Sequence, residues 1–306
     1  MNSIVLVENG SPRAAIMVSP DAGIAERHAA EMLQRHLRNS SGAELPIVRT
    51  RPKGPLICVG RFPESERIAG NFDWHALGPD GILVRTAGDQ VVLAGLEPRG
   101  TLYAVYEFLE RVIDLRLLAP GVRHMEHRRT IAAPAMDIVY RPPFRYREPH
   151  FHILTDPEWA VANRANSRPC LEARHGGGIS YAGHFVHNFY ALVPPARYFK
   201  DHPEYYSEVK GQRTYLQAQL CLSNPDVLDI VSAECRTLLA DNPRAGIITI
   251  SQEDRGNWCT CAQCRARDGE EGSPAASIVA FVNAVEHRRA RREVKRHVIV
   301  QRAAGR

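Results

Sequence analysis

The chain has 306 residues, 44% of them apolar, with a net charge of +5. That length suits two domains or one large barrel, and that apolar share excludes disorder as the default state. No run approaches the ~18 apolar residues a membrane helix needs, and MNSIVLVENG lacks the basic start and long apolar core of a secretory signal, so the chain reads as soluble, unexported and cytoplasmic. The positive charge is local. Residues His287 to Arg306 hold eight Lys/Arg against one acid, a balance of +7 that leaves the remainder near −2. Without interleaved aromatics or a reading motif, such a tail reads as a solvated helix end or a damaged terminus rather than a nucleic-acid surface.

In chain order, Ser3 to Val7 and Ala14 to Val18 read as short strands. Ala22 to Ser40 carries Ile24, Ala29, Met32, Leu33 and Leu37 at helical spacing and ends at Gly42. Pro55 to Gly60 and Gly81 to Thr86 follow as strands, and Val91 to Leu96 closes a hairpin through Gly88-Asp89. Thr101 to Arg111 is a second amphipathic helix with Gly100 at its start. Residues 1–135 therefore form a small α/β domain. Between Ile131 and Arg147, Pro134, Pro142 and Pro143 interrupt regular structure, and this segment reads as a linker.

Residues 136–306 form the second domain. Phe151 to Leu154, Gln219 to Leu222, Ile247 to Ser251 and His297 to Val300 read as strands, alternating with helices at Asp226 to Leu239 and Ser273 to Lys295. This alternation fits a (β/α)8 barrel of the TIM type, but only about five of its eight strands can be counted. The expectation is an incomplete barrel on a truncated chain, with a frame shift near Glu286 to Arg292 as one cause. Exposed strand edges would then make it prone to self-association.

Chemistry concentrates in IITISQEDRGNWCTCAQC, Ile247 to Cys264. Glu253 and Asp254 sit at the carboxyl end of a β-branched strand, where α/β folds place reacting groups. Successive strand residues point to opposite faces, so both serve one bond only where the strand has ended. The ordinary alternative is a surface network with Arg255. Cys259, Cys261 and Cys264 form a C-x-C-x-x-C cluster able to hold a structural zinc, with a fourth ligand from Cys221, Cys235 or a histidine. A disulfide or three packed thiols are the alternatives. The remaining cysteines, Cys58, Cys170, Cys221 and Cys235, are scattered singly and read as buried thiols.

His150 and His152 flank Phe151 on one strand face, and His184 and His187 lie in GHFVHN. HGGG at His175 resembles an esterase oxyanion loop, but no G-x-S-x-G elbow occurs, which excludes that reading. Sugars need aromatic stacking and, where acidic, guanidinium forks. Trp258, beside the carboxylates, and Arg147, in YRE, are the candidates, with Arg147 suited to a uronic acid.

HPEYYSEVKGQR, QLCLSNPDV, ISQEDRGNWCTCAQC and FVNAV together resemble the bacterial family of domain of unknown function 4838, whose members look like glycoside hydrolases. AAEMLQRHL, ICVG, GILV and RGTLYAVYEFLE are similar to the small α/β domain ahead of the barrel in bacterial β-hexosaminidases and α-glucuronidases. The resemblance covers nearly the whole chain to about Val285. It implies acid-assisted cleavage of glycosidic bonds in poly- or oligosaccharides, without a catalytic cofactor. In family 20 hexosaminidases an adjacent Asp-Glu pair works with the substrate's acetamido group. The order here is Glu-Asp, and Asp254 matches the family pattern better than Glu253. It also implies a substrate-side role for His184. The competing readings are a carbohydrate-binding protein without turnover, an inactive fragment, and a zinc-dependent interaction module resting on the cysteines alone.

Overall fold

The computed structural model describes residues 3–167, 171–290 and 297–299. They divide into two compact units, Met1–Gly178 and Ile179–Arg306. Cys170, Val300 and most of the basic tail lie outside the described residues.

The first unit is built on a six-stranded mixed sheet, in the order Asp137–Tyr140, Ile82–Ala87, Gln90–Gly95, Leu56–Val59, Ala15–Met17, Ile47–Val48. The first three strands run antiparallel, and Gln90–Gly95 continues into the parallel half. Strand side chains alternate between faces. Ile16, Ile57, Val59, Ile82, Val84, Val91 and Leu93 share a core with the Ile24–Ser41 and Pro98–Ile113 helices. One residue along, Ala15, Met17, Leu56, Cys58, Leu83, Val92 and Ala94 join Phe62, Ile68, Trp74 and Leu77 in a second core. Burial on both faces explains why these strands read as unbroken apolar runs.

Two glycines set the packing of the second helix. A Cβ on Gly100 would lie 2.5 Å from the Gly81 carbonyl oxygen, and one on Gly95 would lie 2.6 Å from the Gly100 backbone. Only bare backbone fits there. The first helix ends at Gly42, left-handed at φ 79°, whose N–H donates to the Arg38 carbonyl.

The segment expected as a linker is structured. Ile131–Ala133 pairs with Ile4–Glu8 in a three-stranded sheet, and Asp137–Tyr140 forms an edge of the large sheet. The prolines flank these strands instead of breaking them. Residues beyond them also belong to the first unit, which therefore ends at Gly178 and not at 135. Asp80 explains much of this. Its buried carboxylate takes Arg99 Nε at 2.7 Å, Arg147 Nη2 at 2.6 Å and Asn166 Nδ2 at 2.7 Å. Burial alone would raise that carboxyl, but the two guanidinium groups and the amide hold it below its ordinary value. Tyr103 adds a bond from its hydroxyl to the Ala165 carbonyl at 2.9 Å. Phe151 to Leu154 is not a strand either. His150 takes φ 53°, a 3-10 turn follows over His152–Thr155, and Phe151 is 71% exposed.

In the second unit, Pro225–Asp241 is a helix capped by Asn224, whose side chain accepts from the Asp226 and Val227 N–H groups, with proline at its first position. It packs with Ala275–Ala290 around Phe189, Tyr206, Val227, Val231, Ile248, Ile250, Phe281 and Val282. Ile247–Thr249 pairs in parallel with His297–Ile299, and Tyr181 bridges Ile247 in the same sense. Gln219 to Leu222 is reduced to one antiparallel bridge between Leu220 and Tyr206, because the chain turns at Leu222-Ser223. The unit is mixed α/β with parallel elements. Its described residues carry fewer strands than the expected five, and a closed ring is not among them. No described helix is long and apolar enough to cross a membrane.

Candidate functional site

The strand Ile247–Thr249 delivers the chain to Ser251 and the carboxylates, and the GHFVHN segment holds that end in place. The buried Asn188 amide donates to the Thr249 carbonyl at 2.7 Å and accepts from the Ser251 N–H at 2.8 Å. Thr249 Oγ1 donates to the His184 carbonyl at 2.7 Å, and the His187 N–H donates to Ser251 Oγ at 2.8 Å. Asn188 thus completes a ladder that the strand's own edge leaves open.

Beyond Ser251 the two carboxylates part company. Glu253 is buried, and its Oε1 accepts the Tyr190 N–H at 2.9 Å. Asp254 is exposed. Gln219, 2% exposed, clamps the turn: its Oε1 accepts the Glu253 N–H at 3.0 Å, while its Nε2 donates to the Glu253 carbonyl at 2.9 Å and the Arg255 carbonyl at 2.6 Å. Arg255 lies over the Tyr190 ring, 5.3 Å from its centroid. The adjacent pair therefore offers one fixed, inward carboxylate and one presented to solvent.

Trp258, half-buried, lines a small cavity with Phe189, Gln219, Leu222, Cys259 and Cys264. The cavity has a volume of about 20 Å³, room for about one water. His184 is exposed and meets the strand through its backbone carbonyl. Arg147 departs from the expectation. It lies in the first unit, where its guanidinium serves Asp80 and the Arg164 and Phe144 carbonyls at 2.6 and 2.8 Å, an arrangement that leaves no free fork for a substrate carboxylate.

Cys259, Cys261 and Cys264 come together, and Cys221 joins them. All four are buried, with sulfur atoms within 4.8 Å of one another. They are free cysteines, which removes the disulfide alternative from this structure. Cys235 stands apart in the helical core, and burial pushes its thiol up to about 12. Cys58 behaves alike, also at about 12. The Cys221 thiol is instead held well below its ordinary value by hydrogen bonds from Cys259 and Cys264.

Of the three residues that hold the site, Tyr190 stands out in the sequence only as one of several aromatics able to stack on a sugar, and Asn188 and Gln219 carry no signal in spacing or composition. Asn188 and Gln219 lie inside the GHFVHN and QLCLSNPDV motifs, and that proximity is the one clue to them.

Residues 119–299 match the family described as Domain of unknown function (DUF4838), and residues 9–108 match the Glycosyl hydrolase family 67 N-terminus. No curated protein matches the chain. Among solved structures, a family GH115 4-O-methyl-α-glucuronidase with specificity for decorated arabinogalactans is 16% identical, with a TM-score of 0.49, over 93% of this chain and 41% of its own. The GH20 β-N-acetylhexosaminidase of Streptomyces coelicolor is 15% identical, with a TM-score of 0.47, over 97% of this chain and 63% of its own. The chitobiase of Flavobacterium johnsoniae is 12% identical, with a TM-score of 0.48, over 98% and 50%. The chain thus spans less than two thirds of the length of each. With its match over residues 119–299, this chain belongs to the DUF4838 family.

Proposed function

We propose that this protein acts on carbohydrate as a glycoside hydrolase, with Asp254 donating a proton to the leaving oxygen and Glu253 fixing the loop that bears it. The observation that carries this reading is the combination, in one chain, of a glycosyl hydrolase N-terminal region with two adjacent carboxylates just beyond a parallel strand. Glycoside cleavage needs an acid at the leaving oxygen and a second group that stabilises the oxocarbenium-like centre, supplied by a carboxylate or by the substrate itself. The buried Glu253, tied to Tyr190 and to Gln219 through its backbone, gives the exposed Asp254 a rigid base. The substrate class is a poly- or oligosaccharide.

The test is release of aglycone from aryl glycosides and aryl uronosides. The wild type turns over at least one of them, and Asp254→Asn loses about 100-fold or more in kcat, the scale of general acid catalysis. A second reading, carbohydrate binding without turnover, is favoured by the position of Asp254 outside the small cavity beside Trp258. Glycan binding with no release from any aryl substrate supports it against the first.

A further inference from the structure

We propose that Cys221, Cys259, Cys261 and Cys264 form a closed tetrathiolate centre for one zinc ion, which ties the loop after the Ile247–Thr249 strand to the segment carrying Cys221. The inference does not rest on the glycosidase reading, since it concerns what holds the loop and not what the loop does.

Geometry comes first. A zinc–sulfur bond of about 2.3 Å in a tetrahedron sets sulfur atoms about 3.8 Å apart. Cys221 and Cys261 sulfurs lie 3.8 Å apart, and all four sulfurs fall within 4.8 Å. Among the buried apolar side chains, the four cysteines form a cluster of their own. Cys221 is contributed from 40 residues before Cys261, so the convergence is a product of the fold and not of local spacing.

The surroundings suit thiolates. Cys261 caps the Ala262–Glu271 helix and Cys264 lies in its first turn, where the helix end favours negative charge. The Glu208 N–H donates to the Cys259 sulfur at 3.3 Å, and Arg213 Nη1 lies 3.7 Å from it. Ser223 Oγ is 3.4, 3.5 and 3.2 Å from Cys221, Cys261 and Cys264. Such outer contacts orient ligands and spread charge. Zinc would replace four thiol protons and leave a centre of charge −2, beside the Arg213 guanidinium. Four protein ligands fill the tetrahedron, so no position remains for an activated water and the centre is structural. It would anchor the Glu253–Trp258 loop at Cys259, while Gln219 anchors it at Glu253.

The experiment uses the 306-residue chain, expressed with added zinc and purified reduced, without chelator. Elemental analysis is expected to give about one zinc per chain. Replacement by cobalt is expected to give the absorption of a tetrahedral four-sulfur site. Cys221→Ser should bind zinc at least about 10-fold more weakly, whereas Cys235→Ser, at a lone buried thiol, should keep it. Should Cys221→Ser fail to fold, the cobalt spectrum and the thiols newly exposed by chelator in the wild type decide, with four expected. Folded, reduced protein carrying no stoichiometric zinc, a stoichiometric iron in its place, fewer than four protected thiols, or unchanged affinity in Cys221→Ser would each overturn the proposal.

Discussion

Gln219 and Glu253 are joined by two hydrogen bonds in opposite directions, the Gln219 amide taking the Glu253 N–H and giving its own N–H to the Glu253 carbonyl. A side chain here does the work of a neighbouring strand, closing the backbone at the point where the sheet has run out. Gln219→Leu would leave the buried Glu253 N–H without a partner and remove the side-chain bond to the Arg255 carbonyl, while the Glu253 carbonyl keeps the Arg255 N–H. One orphaned buried group costs about 1–3 kcal/mol, and the variant is expected to lose that much. Urea unfolding, followed by a probe in the second unit, measures it.

Asp80 is the corresponding hub of the first unit. Asp80→Ala removes the shared partner of Arg99 and Arg147 and leaves two largely buried guanidinium groups uncompensated. The expected loss is about 3–5 kcal/mol. Because the folded carboxyl is held below its ordinary value, its stabilisation is complete above the ordinary carboxylate range and is lost as pH falls through the depressed folded value. Acid titration of stability in Asp80→Asn should therefore be flatter than in the wild type.

His36 gives an independent acid signature. Its two ring nitrogens are buried without hydrogen-bond partners, and burial pushes it down from 6.5 to about 4. The unfolded chain then binds the extra proton between those values. Stability is complete above pH 6.5 and declines as pH falls toward 4, at up to about 1.4 kcal/mol per pH unit. His36→Leu is expected to reduce that slope, as read from melting temperature across the same range.

Gly100→Ala tests the close approach of helix and sheet. The added methyl would meet the Gly81 carbonyl oxygen at 2.5 Å, a distance only backbone movement relieves. Overpacking of this kind costs about 1–3 kcal/mol. A change within about 0.5 kcal/mol in chemical denaturation would show that the helix start shifts freely.

The first unit was legible because its sheet is covered on both faces and its helices follow the 3.6-residue period, so apolar residues mark every central element. The edges were not. Asp137–Tyr140 has only one half-buried residue, Ile138, and carries little apolar pattern, so the nearby prolines dominated the reading. His150 and His152 failed as a strand pair for a backbone reason, the positive φ at His150, which residue type alone does not reveal. In the second unit the strand leading to Glu253 was readable from its β-branched run. The division of labour between Glu253 and Asp254 was not, because it depends on Tyr190 and Gln219, which reach the loop from distant segments. Cys221 shows the same limit: C-x-C-x-x-C is a local pattern, whereas convergence with a cysteine 40 residues away from Cys261 is set by the fold.

The most direct measurement of the central claim is kcat for aglycone release from an aryl-glycoside and aryl-uronoside panel, compared among wild type, Asp254→Asn and Glu253→Gln. The account predicts turnover by the wild type, a loss of about 100-fold or more in Asp254→Asn, and a smaller loss in Glu253→Gln. Wild-type turnover retained in Asp254→Asn, or no turnover of any substrate by folded protein, would contradict it.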